Sequence, residues 1–164
     1  MNDLVFLRHG HALGALETGA ASDSERPLSA VGLAEARVSA AHLKREGFSP
    51  AIIIASPYKR AAATADIAAD LFPGTRRLVL PALCEGDAGT VLKVLSDTAL
   101  PEGAGILVVG HQPLLGSLAG LFLAGPDLPM SPAGFARITT SGAGFFPSPD
   151  NTLTEHYTPG GARN

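Results

Sequence analysis

A single cysteine, Cys84, in 164 residues excludes any disulfide within the chain and fits a reducing compartment. Charge is sparse as well: Asp, Glu, Lys and Arg make up 16% of the chain, the formal net charge is −3, and there is no run of lysine or arginine. Such a chain lacks the basic stripe that draws nucleic acid or an anionic membrane surface, so neither is expected as a partner. Long apolar runs are also missing. The greasiest stretch, Leu114 to Ala124, contains Gly116, Ser117 and Gly120 and falls far short of the ~20 residues a membrane-spanning helix needs. The chain opens almost at once into a strand, with no basic and then apolar lead-in, which predicts no secretory signal and a cytoplasmic location. The histidines lack zinc-site spacing and an acidic ligand set, so no metal or other cofactor is expected. What is present is a hydrophobic content of 46%, enough for the packed core of one globular domain.

Apolar runs and helical stretches alternate along the chain. Leu4–Leu7, Ala51–Ala55, Arg77–Leu80 and Ile106–Val109 read as strands. Between and after them, Leu33–Glu46, Lys59–Phe72, Thr90–Ala99 and Leu114–Leu123 read as helices, the first with Leu33, Ala36, Ala40 and Leu43 on one face and Gly47 as its stop. The grammar changes after residue 125. Pro126, Pro129 and Pro132 mark a loop, Ala136–Thr140 alternates like a strand, Ser141–Gly144 reads as a hairpin connection, and Leu153–Tyr157 as a last, weak strand. The expected fold is α/β: a mostly parallel central sheet with helices on both faces, in three layers, and an antiparallel C-terminal addition. One domain is expected over residues 1–158, with 159–164 a frayed tail.

Three strand ends carry the chemistry. Arg8-His9-Gly10 follows the first strand, Gly110-His111-Gln112-Pro113 follows the fourth, and Ser56-Pro57 follows the second. Ser56 reads as a helix N-cap with Pro57 at the first helical position, which puts Lys59 and Arg60 in a first turn that favours anions. Ligands of open α/β sheets bind beyond the carboxyl ends of the strands, so Arg8, His9, Arg60 and His111 should converge there. A guanidinium holds phosphate oxygens through fixed donors, and an imidazole can attack phosphorus or move a proton near neutral pH. These residues predict a phosphate site with one histidine free for chemistry. Arg26 is a further candidate, either for phosphate or as an anchor of its own loop near Ser29. Lys59, His11, His42, His156 and Cys84 are assigned no role in the chemistry.

In these stretches the chain resembles the histidine phosphatase superfamily, and more narrowly its small SixA-type phosphohistidine phosphatases. The resemblance rests on four blocks in order: Leu7-Arg8-His9-Gly10, Asp23-Ser24-Glu25-Arg26-Pro27-Leu28-Ser29 with Gly32, Ser56-Pro57 with Arg60-Ala61 and Thr64, and Gly110-His111-Gln112-Pro113-Leu114. It implies a phosphoglycerate-mutase-like fold, with His9 as the nucleophile that becomes a phosphohistidine and Arg8, Arg60 and His111 around the phosphoryl oxygens. It further implies a phosphohistidine-bearing protein, such as a phosphotransfer domain, as substrate. Larger relatives carry an acidic general acid after the third strand. Here Glu85 and Asp87 are the candidates, in a brief segment, and a weak or missing acid favours P–N over P–O cleavage because an imidazole leaving group takes up a proton readily. Two other functions stay open at this point: a phosphatase of small phosphomonoesters or sugar phosphates using the same nucleophile, and a phosphate- or phosphoprotein-binding module without turnover.

Overall fold

The computed structural model describes residues 1–160, so most of the tail expected over 159–164 lies outside the described residues; Pro159 itself is buried. Six strands form one sheet: β1 (Asp3–Arg8), β2 (Pro50–Ala55), β3 (Arg76–Val79), β4 (Gly105–Gly110), β5 (Phe135–Thr139) and β6 (Thr152–Tyr157). Their spatial order is β3-β2-β4-β1-β5-β6. The pairs β1·β4, β2·β4 and β2·β3 run parallel, while β5 and β6 are added antiparallel at the β1 edge. This is the expected mixed sheet.

Alternation along the strands divides the core into two layers, because successive side chains leave a strand on opposite faces. Leu4, Phe6, Ile52, Ile54, Ile106 and Val108 face one cluster, shared with the helices α4 (Ala82–Glu85), α5 (Ala88–Asp97) and α6 (Leu114–Phe122). Val5, Leu7, Ile53, Ala55, Leu107 and Val109 face the other, shared with α2 (Ala30–Arg45) and α3 (Lys59–Leu71), which follow the short α1 (Ala15–Thr18) in the chain. Helices on both sides explain why the central strands read as unbroken apolar runs rather than alternating ones. Phe6 and Phe122 meet edge to face at 5.8 Å in the first layer, and truncating either to alanine would cost about 3–5 kcal/mol.

Several boundaries differ from the sequence reading. Helix α2 begins three residues earlier than expected, at Ala30, because Ser29 caps it through a 3.0 Å bond from the Gly32 amide to the Ser29 hydroxyl. Ser56 is not the cap of α3: Tyr58 holds that position, Pro57 precedes the helix, and the Ser56 hydroxyl accepts the Tyr58 amide and meets His111. Helix α5 starts at Ala88 with Asp87 as its cap, and β3 lies exposed at the sheet edge, one residue earlier than expected. The link from β5 to β6 is not a tight hairpin at Ser141–Gly144. It runs from Thr140 to Asn151, buries Phe145 in the core and is tied back by Asn151 to the carbonyls of Phe122 and Phe146.

The register brings the chemistry together. Arg8 pairs with Gly110 and Ala55 with Val109, so β1, β4 and β2 end on one line. Beyond that line the His9 amide donates to the Gly110 carbonyl and the Ser56 amide to the Val109 carbonyl, each at 3.0 Å.

Candidate active site

A cavity of about 330 Å³ opens at this edge, lined by Arg8, His9, His11, Ala12, Arg26, Arg60, His111, Gln112 and Pro132. Four residues singled out from the sequence, Arg8, His9, Arg60 and His111, therefore do share one pocket, and Arg26 joins them. Glu85 and Asp87 do not line it. Glu85 is exposed on α4, and the Asp87 carboxylate accepts bonds from the amide and hydroxyl of Thr90 at the start of α5.

His9 is buried, and its orientation is fixed by its neighbour in the chain. Its Nδ1 lies 2.7 Å from the carbonyl oxygen of Gly10. A carbonyl only accepts, so Nδ1 carries the proton and the neutral ring keeps its lone pair on Nε2. Toward that nitrogen, Arg60 directs its Nε–H at 3.3 Å. Gly10 is held in turn by its amide bond to the Thr64 hydroxyl, 3.1 Å, one helical turn beyond Arg60 on α3. The turn after β1 also has no room for a side chain: a Cβ on Gly10 would stand 2.6 Å from the Gly32 carbonyl oxygen, and one on Gly32 2.1 Å from the His11 carbonyl oxygen. Backbone thus packs on backbone where the His9 turn meets the first turn of α2.

His111 faces His9 with ring centroids 5.1 Å apart and the edge of Tyr58 against it at 5.2 Å. Its Nε2 lies 2.7 Å from the buried Ser56 hydroxyl. A hydroxyl both donates and accepts, so this partner suits either protonation state of the ring. Burial, chiefly, pushes His9 down to about 4, with the charges of His111, Arg60 and Arg8 adding to it and the Gly10 carbonyl opposing. Burial likewise takes His111 down to about 4, helped by Arg60 and Arg8 and opposed by Asp23. Both imidazoles are neutral at pH 7.

The cations are placed by the loops around the pocket. Arg8 donates from Nη1 to the Met130 carbonyl at 2.9 Å, while its buried Nε has no acceptor among the described residues. The segment that supplies Met130 is knitted to β1: Ala133 donates its amide to the His9 carbonyl and accepts the Ser39 hydroxyl, with its backbone in the left-handed region at φ 58°. Arg60 lies buried with its guanidinium over the Tyr58 ring, 5.1 Å from the centroid. Arg26 donates from Nε to the Leu13 carbonyl and from Nη1 to Asp23, both at 2.9 Å, so it anchors its own loop while lining the cavity. Among the described residues no three His, Cys, Asp or Glu side chains converge as a metal ion would require, and no helix is long and apolar enough to cross a membrane.

The sequence reading did not name Gly10 as the partner of His9, Ser56 as that of His111, or Tyr58, Thr64, Gln112 and Asp23 as neighbours of the charged groups. Gly10, Ser56, Thr64, Gln112 and Asp23 did lie inside the four matched blocks, and that was the available signal.

Two arginines and two neutral histidines around a small cavity can receive a tetrahedral anion and offer one ring nitrogen to its central atom. A family model described as Histidine phosphatase superfamily (branch 1) matches residues 4–99. The chain is 35% identical over 145 residues to the phosphohistidine phosphatase SixA of Escherichia coli K12, covering 86% of this chain and 87% of that protein. It is 31% identical over 155 residues to an uncharacterised protein of Picosynechococcus, covering 92% and 93%. Its structure superposes on that of the protein histidine phosphatase SixA complexed with tungstate with a TM-score of 0.80, at 31% identity and with 96% and 97% of the two chains covered. Sequence and fold agree across nearly the whole length: the chain belongs to the histidine phosphatase superfamily.

Proposed function

We propose that this protein hydrolyses phosphohistidine carried on another protein, such as a phosphotransfer domain, through a covalent phosphohistidine on His9 Nε2. The observation that carries this is the bond from His9 Nδ1 to the Gly10 carbonyl, which leaves Nε2 unprotonated inside a pocket flanked by Arg8, Arg60 and His111. Nε2 attacks phosphorus and the P–N bond to the substrate imidazole breaks. The substrate nitrogen keeps that electron pair and takes up a proton. Water then attacks the phosphoryl group on His9, releasing phosphate and returning the lone pair to Nε2. Arg60 and the unpartnered Nε of Arg8 offer donors to the equatorial oxygens, where phosphoryl transfer needs charge stabilisation. His111, neutral in the free enzyme and backed by an ambivalent hydroxyl, can take a proton when the anion arrives.

Among the described residues no carboxylic acid lines the cavity, and the Thr90 hydroxyl and amide favour the ionised form of Asp87. An imidazole leaves readily with solvent protonation, whereas an alkoxide needs an acid. This supports P–N over P–O cleavage. The similarity to SixA supports the same substrate class. The charged side chains lining the pocket are the cations Arg8, Arg26 and Arg60, which supports a metal-independent reaction, and Cys84 as a free thiol supports a cytoplasmic setting.

The test is phosphate release from a histidine-phosphorylated phosphotransfer domain beside a panel of small phosphoesters, with His9→Ala as control and with chelator present. Fast, chelator-resistant, His9-dependent release from phosphohistidine is expected, with Glu85→Gln unchanged. Faster ester cleavage that needs Glu85 would overturn the substrate assignment, and loss of activity with chelator would overturn the mechanism.

A further inference from the structure

Asp23, inside the second matched block, has no part in the proposed chemistry, yet it accepts two hydrogen bonds from the Arg60 guanidinium. Arg60 Nη1 donates to the Asp23 backbone carbonyl at 2.7 Å, and Nη2 to Asp23 Oδ2 at 3.1 Å. The other carboxylate oxygen accepts from Arg26 Nη1 at 2.9 Å, and Arg26 is fastened to the Leu13 carbonyl.

A guanidinium presents five N–H bonds in a rigid plane. Asp23 accepts from both terminal nitrogens, Nη1 and Nη2. The two along its side, Nε–H and the second Nη2–H, point the same way, and Nε–H is directed at His9 Nε2. The end of the fork is thus filled by protein and its side is turned to the nucleophile. When His9 Nε2 gives its lone pair to phosphorus, Arg60 Nε–H loses that acceptor. The side pair then faces two phosphoryl oxygens in the parallel, bidentate geometry that arginine favours.

We infer that Asp23 is a positioning residue for phosphoryl transfer: it clamps the terminal edge of Arg60 so that the Nε–Nη2 edge meets the phosphoryl group on His9. The inference rests on the phosphatase reading of the pocket. The Asp23 side chain is 57% exposed, and an ion pair so open to solvent contributes little to stability. Its effect is therefore on orientation. The lowered pKa of Asp23, caused first by Arg26 and then by Arg60, agrees with a carboxylate that stays charged and does not act as an acid.

The test compares Asp23→Ala, Asp23→Asn, Arg60→Ala and the double variant Asp23→Ala/Arg60→Ala, measuring turnover of phosphohistidine and calorimetric binding of inorganic phosphate and tungstate. Asp23→Ala should lower kcat and oxyanion affinity about tenfold each, with an unchanged melting temperature. Asp23→Asn, which keeps an oxygen for Nη2, should recover most of the loss. In the Arg60→Ala background, Asp23→Ala should have no further effect on oxyanion affinity. Wild-type kcat and affinity in Asp23→Ala would overturn the clamp, as would tighter oxyanion binding, which would make Asp23 a competitor for Arg60. An equal loss with and without Arg60 would overturn it too, by showing that Asp23 acts on the loop alone. Each of those outcomes leaves the phosphatase reading standing. A wild-type protein that neither binds an oxyanion nor releases phosphate would overturn both.

Discussion

His9 Nδ1 is bonded to the carbonyl oxygen of Gly10, the next residue in the chain, so the backbone itself selects the tautomer of the proposed nucleophile. Nitrogen-15 NMR of labelled protein should find His9 neutral with its proton on Nδ1 throughout pH 6–8, with a midpoint near 4. A His9 resonance that titrates near 6.5, or one protonated on Nε2, would remove the basis for attack by Nε2.

Both site histidines are pushed down to about 4, and this has a sign for stability. In the unfolded chain each titrates near 6.5. Between those values the unfolded chain holds protons that the folded one does not, so the histidines' contribution is complete above pH 6.5 and is lost as pH falls toward 4. Urea unfolding at pH 7 and at pH 5 should show the protein weaker at pH 5, with much of the difference absent from a His9→Gln/His111→Gln variant. An identical slope in that variant would place the acid sensitivity elsewhere.

Ser56 is buried, and its hydroxyl is the hydrogen-bond partner of His111 at 2.7 Å. Ser56→Ala leaves the ring free to turn and removes a group that accepts or donates as the ring changes state. Turnover should fall about tenfold, the size of one lost hydrogen bond of about 1.4 kcal/mol, while Ser56→Thr, which keeps the hydroxyl, should retain more. Equal losses for Ala and Thr would mean that space, not the hydroxyl, is what the site requires.

Gly32 sits in the first turn of α2, where a methyl group would meet the His11 carbonyl oxygen at 2.1 Å. Ordinarily Gly→Ala strengthens a helix by roughly 1 kcal/mol. Here the sign reverses: Gly32→Ala should destabilise the fold by about 1–3 kcal/mol, the usual range for overpacking, and displace the His9 turn. Gly89→Ala in α5, where the nearest group is an Asp87 carboxylate oxygen at 3.6 Å, is the control and should be tolerated. Comparable melting temperatures for the two would show that the contact gives way easily.

The strands and the pocket's charged residues were legible because each is announced by side-chain type. Leu4–Leu7 and Ile106–Val109 are unbroken apolar runs, and the groups that follow them are the ones phosphate chemistry needs. What was not legible is carried by backbone or by side chains with two uses. The Gly10 carbonyl is a group that every residue has, so no sequence pattern marks it as the partner of His9. Ser56 before a proline has the form of a helix cap, and its hydroxyl does accept the Tyr58 amide, but only the neighbouring β4 reveals that it also meets His111. Asp87 reads as a free loop acid, yet the helix it opens claims both its oxygens. The β5–β6 link misled because Gly142 and Gly144 resemble a tight turn, whereas Phe145 and Asn151 draw the chain inward.

The walls of the pocket differ in how much change they accept. The turn after β1 presses on α2 through Gly10, His11 and Gly32, where backbone meets backbone and a single methyl has no place. Opposite it, Gln112, Pro113, Leu128, Pro129 and Met130 line a neighbouring cavity of about 380 Å³ that shares Arg8 and Gln112 with the pocket. Apart from Gly116, where a Cβ would stand 2.4 Å from the Leu128 carbonyl oxygen, its walls are side chains and loop. Laboratory evolution toward a new phosphorylated substrate should therefore accumulate its changes on the 112–130 side and leave the glycine seam unaltered. The nucleophile would keep its aim while the preference of the site drifted around it.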